Sequence, residues 1–253
     1  MAEVLTSRPE FVREQSTDRA FGVVEKPLTA WEKIYNQSPV RKALILLVLA
    51  AAWEIYARAI NNPLLFPTFS STLAAFWEAL MTGGLLQKSW FSIKVLLMGY
   101  ATGLLLAAIL TGIAISSRIG TDLLETLTSM FNPLPAIALL PLSLLWFGLN
   151  NASLVFVLVH SVLWAVALNT HSGFMSVSNT LRMVGRNYGL SGVGYVTRIL
   201  IPAAFPSILT GLKIGWAFAW RTLIAAELVF GVSSGSGGLG WFIYENKNQL
   251  EIP

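Results

Sequence analysis

The chain has no cysteine and little charge for its length. Of its 253 residues only 12% are Asp, Glu, Lys or Arg, whereas soluble domains carry about 25% charged residues. The absence of cysteine excludes disulfides, a thiol nucleophile and Cys-ligated metal sites. With only two histidines, His160 and His171, the chain cannot build a histidine-rich metal site either. Thirteen of the charged residues fall within residues 1–42, so the remaining chain has too few charges to cover a soluble surface.

Long apolar runs fill the rest of the sequence. They cover residues 43–60, 91–115, 123–147, 152–169 and 208–230. Each run has about the 17–25 residues that a helix needs to cross the hydrocarbon core of a membrane. Strands of a membrane barrel would alternate in polarity over about ten residues, whereas these runs are apolar on every face. The sequence therefore predicts an all-α integral membrane protein with five visible spans.

Residues 1–42 carry charges of both signs and no sustained apolar run. A secretory signal peptide needs a short basic start followed directly by an apolar core, so this segment is not one. We expect a polar cytoplasmic tail over residues 1–42, with a short interfacial helix near residues 31–35. The transmembrane domain is expected to cover residues 43–253.

Basic residues between the spans predict the orientation of the chain. Arg41 and Lys42 precede the first span, Arg118 lies between the second and third, and Arg182, Arg186 and Arg198 lie between the fourth and fifth. The loop between the third and fourth spans has no charge. Because cytoplasmic loops are enriched in Lys and Arg, the N-terminus and the loop at 170–206 are predicted to be cytoplasmic. This placement explains the net charge of +4 without a nucleic acid partner.

Small residues recur at every fourth position in two spans. One stripe comprises Gly99, Gly103, Ala107 and Thr111, and the other comprises Gly211, Gly215 and Ala219. Such stripes let helix backbones approach closely in lipid, where the hydrophobic effect does not drive association. We favour packing between helices of one subunit over the alternative, a seam between two subunits.

The segment 178–206 is too polar to span a membrane, but its pattern indicates an amphipathic helix. Leu181, Val184 and Tyr188 recur at helical spacing and share one apolar face. Arg182 and Arg186 lie on the opposite side. The helix is therefore predicted to lie along a surface rather than within a core.

Capping residues divide this segment into two short helices. Ser178 or Asn179 suits the N-cap of the first helix. Gly189 suits the left-handed position that ends it. Ser191 can begin a second short helix that runs to Pro202. The segment 178–206 is therefore predicted to form an elbow on the cytoplasmic side.

The elbow resembles the cytoplasmic signature of permease subunits of bacterial ATP-binding-cassette (ABC) importers. That signature reads Glu-Ala-Ala, three residues, Gly, nine residues, Ile, any residue, Leu-Pro. Here Gly189 is followed after nine residues by Ile199, and Ile201 replaces Leu before Pro202. The Glu-Ala-Ala triplet falls on residues 183–185, so Met183 stands where the family has an acid.

The resemblance implies a type I ABC importer permease whose elbow docks into a groove of an ATPase subunit. The residues implied in this contact are Leu181, Arg182, Met183, Val184, Gly185, Arg186, Tyr188, Gly189, Ile199 and Pro202. The salt bridge of the usual acid is unavailable at Met183. The implied partners are two ATPase subunits, a second permease copy that is identical or a close paralogue, an external solute-binding protein and the lipid bilayer. ATP and Mg²⁺ are expected on the ATPase subunits, and no cofactor on this chain.

Three further stretches are similar to the nitrate, sulfonate and taurine branch of this family. They are the proline-rich segment 133–148, Leu168-Asn169-Thr170 at the end of the fourth span, and Ile224-Ala225-Ala226-Glu227 before the glycine-rich segment 237–241. The branch implies import of a small anion across the bacterial cytoplasmic membrane, such as nitrate, a sulfonate, taurine, bicarbonate or an aromatic carboxylate. It also implies a sixth span, which we expect beyond the five visible here.

The sequence has no motif for nucleotide hydrolysis. Residues 235–240 satisfy G-x-G-x-x-G, but no strand precedes them and no βαβ unit surrounds them. The phosphate-binding pattern G-x-x-x-x-G-K-[ST] is absent, and no catalytic constellation is recognisable. We therefore expect that the chain is not an enzyme and that a separate subunit hydrolyses ATP.

Proline, aromatic and charged residues within the spans are candidates for a translocation path. They are Pro133, Pro135, Pro141, His160, Trp164, Trp220, Arg221 and Glu227. The prolines would kink the third span, although bending alone would explain them, and the aromatic side chains would equally suit packing between helices. Arg221 would either attract an anionic substrate or form a structural pair. Glu227 has the wrong sign for binding an anion and would order the external turn.

A self-contained channel or an ion-coupled secondary transporter is the alternative function. Such a protein would need acidic or histidine residues grouped at mid-membrane, together with an internal repeat. The sequence shows neither feature. The importer permease is therefore the favoured interpretation.

Overall fold

The computed structural model describes residues 29–81, 83–234 and 237–249. Within these ranges the regular structure is entirely helical, with no strand, so the all-α prediction is confirmed. Residues 1–28, which make up most of the predicted tail, lie outside the described residues. So do residues 235 and 236 of the glycine-rich segment.

Helices follow one another with short connections along the described residues. The first are α1 (Ala30–Tyr35), α2 (Ser38–Ile60), α3 (Phe69–Met81) and α4 (Leu85–Ser116). Next come α5 (Arg118–Phe131), a 3₁₀ turn (Ala136–Leu139), α6 (Leu140–Phe147) and α7 (Asn151–Met175). The remaining elements are α8 (Asn179–Asn187), α9 (Gly192–Tyr195), a π turn (Val196–Leu200), α10 (Ile201–Ser234) and α11 (Leu239–Asn248).

The described residues divide into two compact units, with the boundary between Tyr56 and Ala57. In the first unit α1 begins with a capping box. The Thr29 N–H donates to Glu32 Oε2 at 2.8 Å, and the Glu32 N–H donates to Thr29 Oγ1 at 3.3 Å. The hydrogen bond from the Thr29 backbone, with a second from its hydroxyl, lowers the pKa of Glu32. This helix confirms the short helix expected near residues 31–35.

Among the described residues, four helical segments are long and apolar enough to cross a membrane. They are α2, α4, α7 and the continuous segment Gly192–Gly231, and a fifth is added if the bent pair of α5 and α6 counts as one span. Four of the five predicted spans therefore have a counterpart, and the third, residues 123–147, has one if the bent pair is counted as a single span. Several extend beyond the predicted limits, because a helix continues past the point where its residues cease to be apolar. One example is α4, which begins six residues before the apolar run at 91–115.

The predicted third span is not one kinked helix but two helical segments joined at a sharp bend. The segments Arg118–Phe131 and Ala136–Phe147 make an angle of 85°, and Pro133 and Pro135 lie between them. Pro141 does not contribute to the bend, contrary to the prediction. It lies in the first turn of α6, where the missing proline N–H removes no intrahelical hydrogen bond.

Two helices lie where no helix was predicted. α3 occupies much of the connection at 61–89, and α11 follows the glycine-rich segment. Both are shorter than a membrane span, and α11 contains Glu245 and Lys247. Hydropathy alone therefore does not reveal them.

α7 is the centre of the second unit, because α4 and α10 both pack along it. Leu158 and Val162 of α7 are fully buried. A Cβ on Gly99 of α4 would lie 2.5 Å from Cβ of Leu158, and a Cβ on Gly215 of α10 would lie 2.9 Å from Cγ2 of Val166. The small residues therefore let both helices approach α7 within one chain, which confirms the favoured interpretation of the two stripes.

Candidate translocation cavity and elbow

A cavity of about 200 Å³ lies between the bend after α5 and the facing sides of α7 and α10. Five of the eight predicted path residues line it, namely Pro133, Pro135, His160, Trp164 and Arg221. These residues are far apart in the sequence, and only the packing of α10 on α7 and the 85° bend bring them together. The cavity is therefore the strongest candidate for a substrate-contacting site.

His160 is held in one orientation by two polar contacts. The Trp164 Nε1–H donates to His160 Nδ1 at 3.1 Å, and His160 Nε2 lies 3.3 Å from the carbonyl oxygen of Leu134. Because Nδ1 accepts, Nε2 carries the proton and donates to that carbonyl. Phe131 stacks on Trp164 with the ring centroids 5.5 Å apart. These contacts fasten the bend to α7.

Arg221 is the charged residue of this cavity. Its side chain is exposed, and it makes no ion pair or hydrogen bond with any residue that the structure describes. No Asp or Glu lines the cavity. Since a guanidinium keeps its charge in any protein environment, the cavity is electropositive. An anion is the ligand that this electrostatic environment favours.

Three of the predicted path residues do not line this cavity. Pro141 lies in α6, Trp220 is exposed on α10, and Glu227 is fully buried. Glu227 accepts hydrogen bonds from Ser92 Oγ at 2.7 Å and 2.8 Å and from the Gly240 N–H at 2.9 Å. The Leu239 N–H in turn donates to Ser92 Oγ at 2.8 Å. This network joins α4, α10 and the start of α11, as expected for a carboxylate that orders the turn.

Two glycines make this network possible. A Cβ on Gly238 would lie 2.0 Å from Ser92 Oγ, and a Cβ on Gly240 would lie 2.6 Å from Cβ of Glu227. Any side chain at either position would push the backbone away from the carboxylate. At the other end of α11, Lys88 Nζ pairs with Glu245 Oε2 at 2.7 Å. α11 is thus attached by polar contacts at both ends.

The first helix of the elbow forms as predicted. Ser178 is the N-cap of α8, and its Oγ accepts from the Leu181 N–H at 3.4 Å. Gly189 has φ of +71°, the left-handed conformation that ends many helices. The Leu190 N–H donates to the Gly185 carbonyl at 3.1 Å, and the Gly189 N–H to the Arg186 carbonyl at 2.9 Å. This pair of hydrogen bonds is a Schellman motif.

The predicted apolar face of α8 is not covered by the rest of the chain. Leu181, Val184 and Tyr188 are 37%, 41% and 80% exposed. Gly185, in contrast, is buried against the second part of the elbow, where its Cβ would lie 2.9 Å from Cγ1 of Ile199. α8 therefore packs on the elbow through a glycine and presents its apolar side chains outward.

Arg182, which was predicted on the side of α8 opposite the apolar face, contacts backbone carbonyls of the chain. Its Nε–H donates to the Val177 carbonyl at 3.1 Å, and its Nη2–H donates to the Phe174 carbonyl. These carbonyls lie at the C-terminal end of α7, where backbone acceptors lack helical partners and a cation is favourable. Arg182 therefore positions α8 on α7, whereas Arg186 stays exposed.

The second elbow helix does not end at Pro202. The short α9 continues through the π turn directly into α10, so that Gly192–Gly231 is one helical segment. Pro202 is the second residue of α10. Because the helical segment is continuous, Pro202 lies in its interior, where a proline cannot donate the usual hydrogen bond. The π turn that precedes it is a local departure from regular α-helical hydrogen bonding. The second part of the elbow is thus helically continuous with a predicted span.

Comparison with known proteins agrees with this architecture. A family model described as binding-protein-dependent transport system inner membrane component matches residues 99–253. The chain belongs to this family. The fold is accordingly that of a type I ABC permease. ABC permeases of this kind work with an ATPase and a binding protein and leave ATP hydrolysis to the separate ATPase subunit.

Several curated permeases are similar over most of their length. A putative ABC transporter permease protein of Methanocaldococcus jannaschii is 32% identical over 83% of this chain and 79% of that protein. The putative aliphatic sulfonates transport permease protein SsuC of Escherichia coli is 30% identical over 85% and 83%. The nitrate import permease protein NrtB of Synechocystis is 30% identical over 87% and 81%. The similarity to the nitrate and sulfonate branch is therefore confirmed.

Sequence reasoning missed two parts of this permease. Ser92 carries no local signal of its contact with Glu227, because the two residues meet only through the packing of α4 on the rest of the unit. The role of Arg182 was also missed, although a basic residue a few positions after the end of a helix is a recognisable C-terminal partner. The connection between α7 and α8 has three residues, but the predicted span ended at residue 169, so the sequence did not reveal how close Arg182 lies to the end of α7.

Proposed function

We propose that this permease forms the translocation path of an importer for a small anion of the nitrate, sulfonate, taurine, bicarbonate or aromatic carboxylate class. The observation that carries the proposal is the cavity lined by the Pro-rich bend, His160, Trp164 and Arg221, which has no ion pair among the described residues. Nitrate and sulfonate are named for the similar permeases NrtB and SsuC. An electropositive cavity without an acidic residue suits each of these anions.

Two copies of the permease, identical or closely related, would enclose the path between them. Two ATPase subunits would bind ATP and Mg²⁺ on the cytoplasmic side, where the N-terminus and the elbow lie in this proposal. An external solute-binding protein would deliver the anion. ATP-dependent closure of the ATPase subunits would favour one of two helix arrangements, so that the cavity opens alternately to each side of the membrane.

Arg221 would lower the electrostatic barrier for the anion without trapping it. A charge in a low-dielectric environment acts strongly on a second charge, and transport demands that binding stay weak enough for release. The neighbouring imidazole and indole donate to fixed partners, the Leu134 carbonyl and His160. These contacts keep the cavity wall in place while the guanidinium remains free to meet the anion.

The Arg221→Gln variant tests this role. We expect a lower uptake rate with an unchanged yield of the assembled complex, and partial recovery in Arg221→Lys, which keeps the charge but loses the planar fork. The measurement is uptake of labelled anion into proteoliposomes beside complex yield. Lys213→Gln is the matched control, since Lys213 is an exposed cation of the same helix outside the cavity.

A loss of complex yield in both Arg221 variants would instead indicate a structural pair with another subunit. Normal assembly together with normal uptake in Arg221→Gln would show that Arg221 has neither role. The alternative function, a self-contained channel or ion-coupled transporter, predicts transport without any ATPase subunit. Membership of the permease family favours the importer over that alternative.

The elbow would transmit closure of the ATPase subunits to α10. Its exposed apolar face offers a docking surface, and its helical continuity with α10 offers a direct mechanical connection. Changing Leu181 and Tyr188 together to Asp is expected to uncouple ATP hydrolysis from uptake while the spans stay folded. Leu149→Asp is the control, because Leu149 is an exposed apolar residue outside the elbow. Normal ATP-dependent uptake in the double variant would remove the elbow from the coupling mechanism.

A further inference from the structure

We infer that the permease docks on an acidic surface of its ATPase subunit, whose carboxylates enter an arginine-lined cavity beside the elbow. The inference rests on the proposed coupling role of the elbow. It reverses the sign of the contact that the family signature implies, in which the permease supplies the acid. In this chain that position is Met183, which is 57% exposed and apolar.

The cavity has a volume of about 770 Å³ and lies where the α4–α5 junction, the end of α7 and the elbow meet. Arg118, Arg182 and Arg186 all line it. Arg182 is already occupied by two carbonyls at the end of α7. Arg118 and Arg186 are exposed, and neither makes an ion pair with a residue in the described part of the chain. Two guanidinium groups are therefore available to an external partner.

The elbow and the adjacent helix α7 contain no acid that could pair with these arginines. Residues 126–226 contain no Asp or Glu, although they contain Arg182, Arg186, Arg198, Lys213 and Arg221. The nearest acid along the chain to Arg118 is Asp122, which does not line the cavity. Charged groups at interfaces are arranged so that their potentials are complementary. The carboxylates that would complement these arginines are therefore expected on the surface of the partner protein.

Apolar side chains beside the cavity indicate that the carboxylates belong to a protein surface. Tyr188 and Val193 of the elbow are 80% and 78% exposed. Protein interfaces combine buried aromatic anchors with a polar rim. An ATPase subunit with an apolar groove and an acidic rim would cover Tyr188 and Val193 and neutralise Arg118 and Arg186 at once. Family membership already supplies an ATPase partner.

The experiment measures the affinity of the ATPase subunit for the permease in nanodiscs of neutral phosphatidylcholine. The dissociation constant is determined at about 50 mM and about 300 mM KCl, because salt screens exposed charge pairs. Arg118→Gln and Arg186→Gln are each expected to weaken binding about fivefold at the lower salt concentration, and the double variant to lose most of the salt dependence. Lys213→Gln, an exposed cation outside the cavity, is expected to change neither quantity.

Unchanged affinity and salt dependence in the double arginine variant would overturn the inference, while the Asp variants at Leu181 and Tyr188 would still test the coupling role. ATPase binding that requires added phosphatidylglycerol, and loses this requirement in the double variant, would also overturn it, because the cavity would then hold a lipid phosphate. If the wild-type permease bound no ATPase subunit in either lipid, the proposed function itself would fail.

Discussion

Two glycines of α4 show how the absence of a side chain at one position allows two helices to pack closely in this permease. Gly99 faces Leu158 of α7 so closely that a Cβ would lie 2.5 Å from its Cβ and 2.8 Å from its Cδ1. Gly112, in the same helix, has no atom within 4 Å of the position where a Cβ would be. The helix therefore contains a glycine that packing requires and another that packing does not. This difference provides an internal control.

Gly99→Ala is expected to destabilise the permease by about 1–3 kcal/mol, the usual cost of overpacking. Gly112→Ala should be neutral or stabilising by about 0.5–1 kcal/mol, because alanine favours a helix over glycine. The double variant Gly99→Ala with Leu158→Ala should recover none of the loss, because alanine keeps the Cβ that causes the 2.5 Å contact and leaves a cavity in the core. Thermal unfolding of the purified protein in detergent measures all three. Equal melting temperatures for the two glycine variants would contradict this account of the packing.

The buried carboxylate of Glu227 allows a second prediction at this scale. Glu227→Ala removes the acceptor of the Ser92 hydroxyl and the Gly240 N–H, each of which costs about 1–3 kcal/mol when buried without a partner. We expect faster amide hydrogen exchange in α11, since both donors hold its first turn. Glu125→Ala, at an exposed acid of α5, should leave that exchange unchanged. Slow exchange retained in Glu227→Ala would show that Lys88 and Glu245 suffice to hold α11.

Helices of this chain differ in how well the sequence predicts them. α2, α4, α7 and α10 were located because a membrane span must be long and apolar, which leaves a strong signal in hydropathy. The caps of α8 were also predictable, since Ser and Gly act at such positions through local backbone geometry. α3 was missed because a helix of 13 residues needs no uniform apolar run. The prolines signalled a break, but the angle of 85° depends on packing against α7.

The candidate cavity was predicted in composition but not in arrangement. His160 and Trp164 lie one turn apart on α7, so sequence spacing places them together. Their contact with Leu134 and the approach of Arg221 depend on how three helices pack, which no local pattern encodes. Pro141 and Trp220 were predicted to line the path because of their residue types, but neither lines the cavity. The sequence thus predicted the candidate residues, whereas tertiary packing determines which of them line the cavity.

The end of α8 gives a prediction at the scale of the element. Gly189→Ala places a Cβ on a residue with φ of +71°, which costs an L-residue about 1–2 kcal/mol. Because the Schellman motif ends α8 there, we expect faster amide exchange in α8 and weaker coupling of ATP hydrolysis to uptake. Gly194→Ala is the matched control within the elbow, since nothing lies within 4 Å of its Cβ position. Identical behaviour of the two variants would show that the turn tolerates a side chain.

At the scale of the whole molecule, the orientation of the chain in the membrane decides whether the elbow can meet an ATPase. α7 has 25 residues, which span about 37 Å at 1.5 Å per residue. Its two ends can therefore lie on opposite sides of a bilayer. Leu149 precedes α7 and Tyr188 follows it in the elbow. The excess of arginine around Tyr188 predicts that this end is cytoplasmic.

Because the chain has no cysteine, single-cysteine variants report orientation without further changes. Tyr188→Cys and Leu149→Cys place thiols at residues that are 80% and 54% exposed. A membrane-impermeant maleimide should label the first variant only in inside-out vesicles and the second only in right-side-out vesicles. The opposite pattern would place the elbow outside, away from cellular ATP, and coupling through it would be impossible. Labelling of Tyr188→Cys should also fall when the ATPase subunit is bound, since docking on the apolar face of α8 covers that side chain.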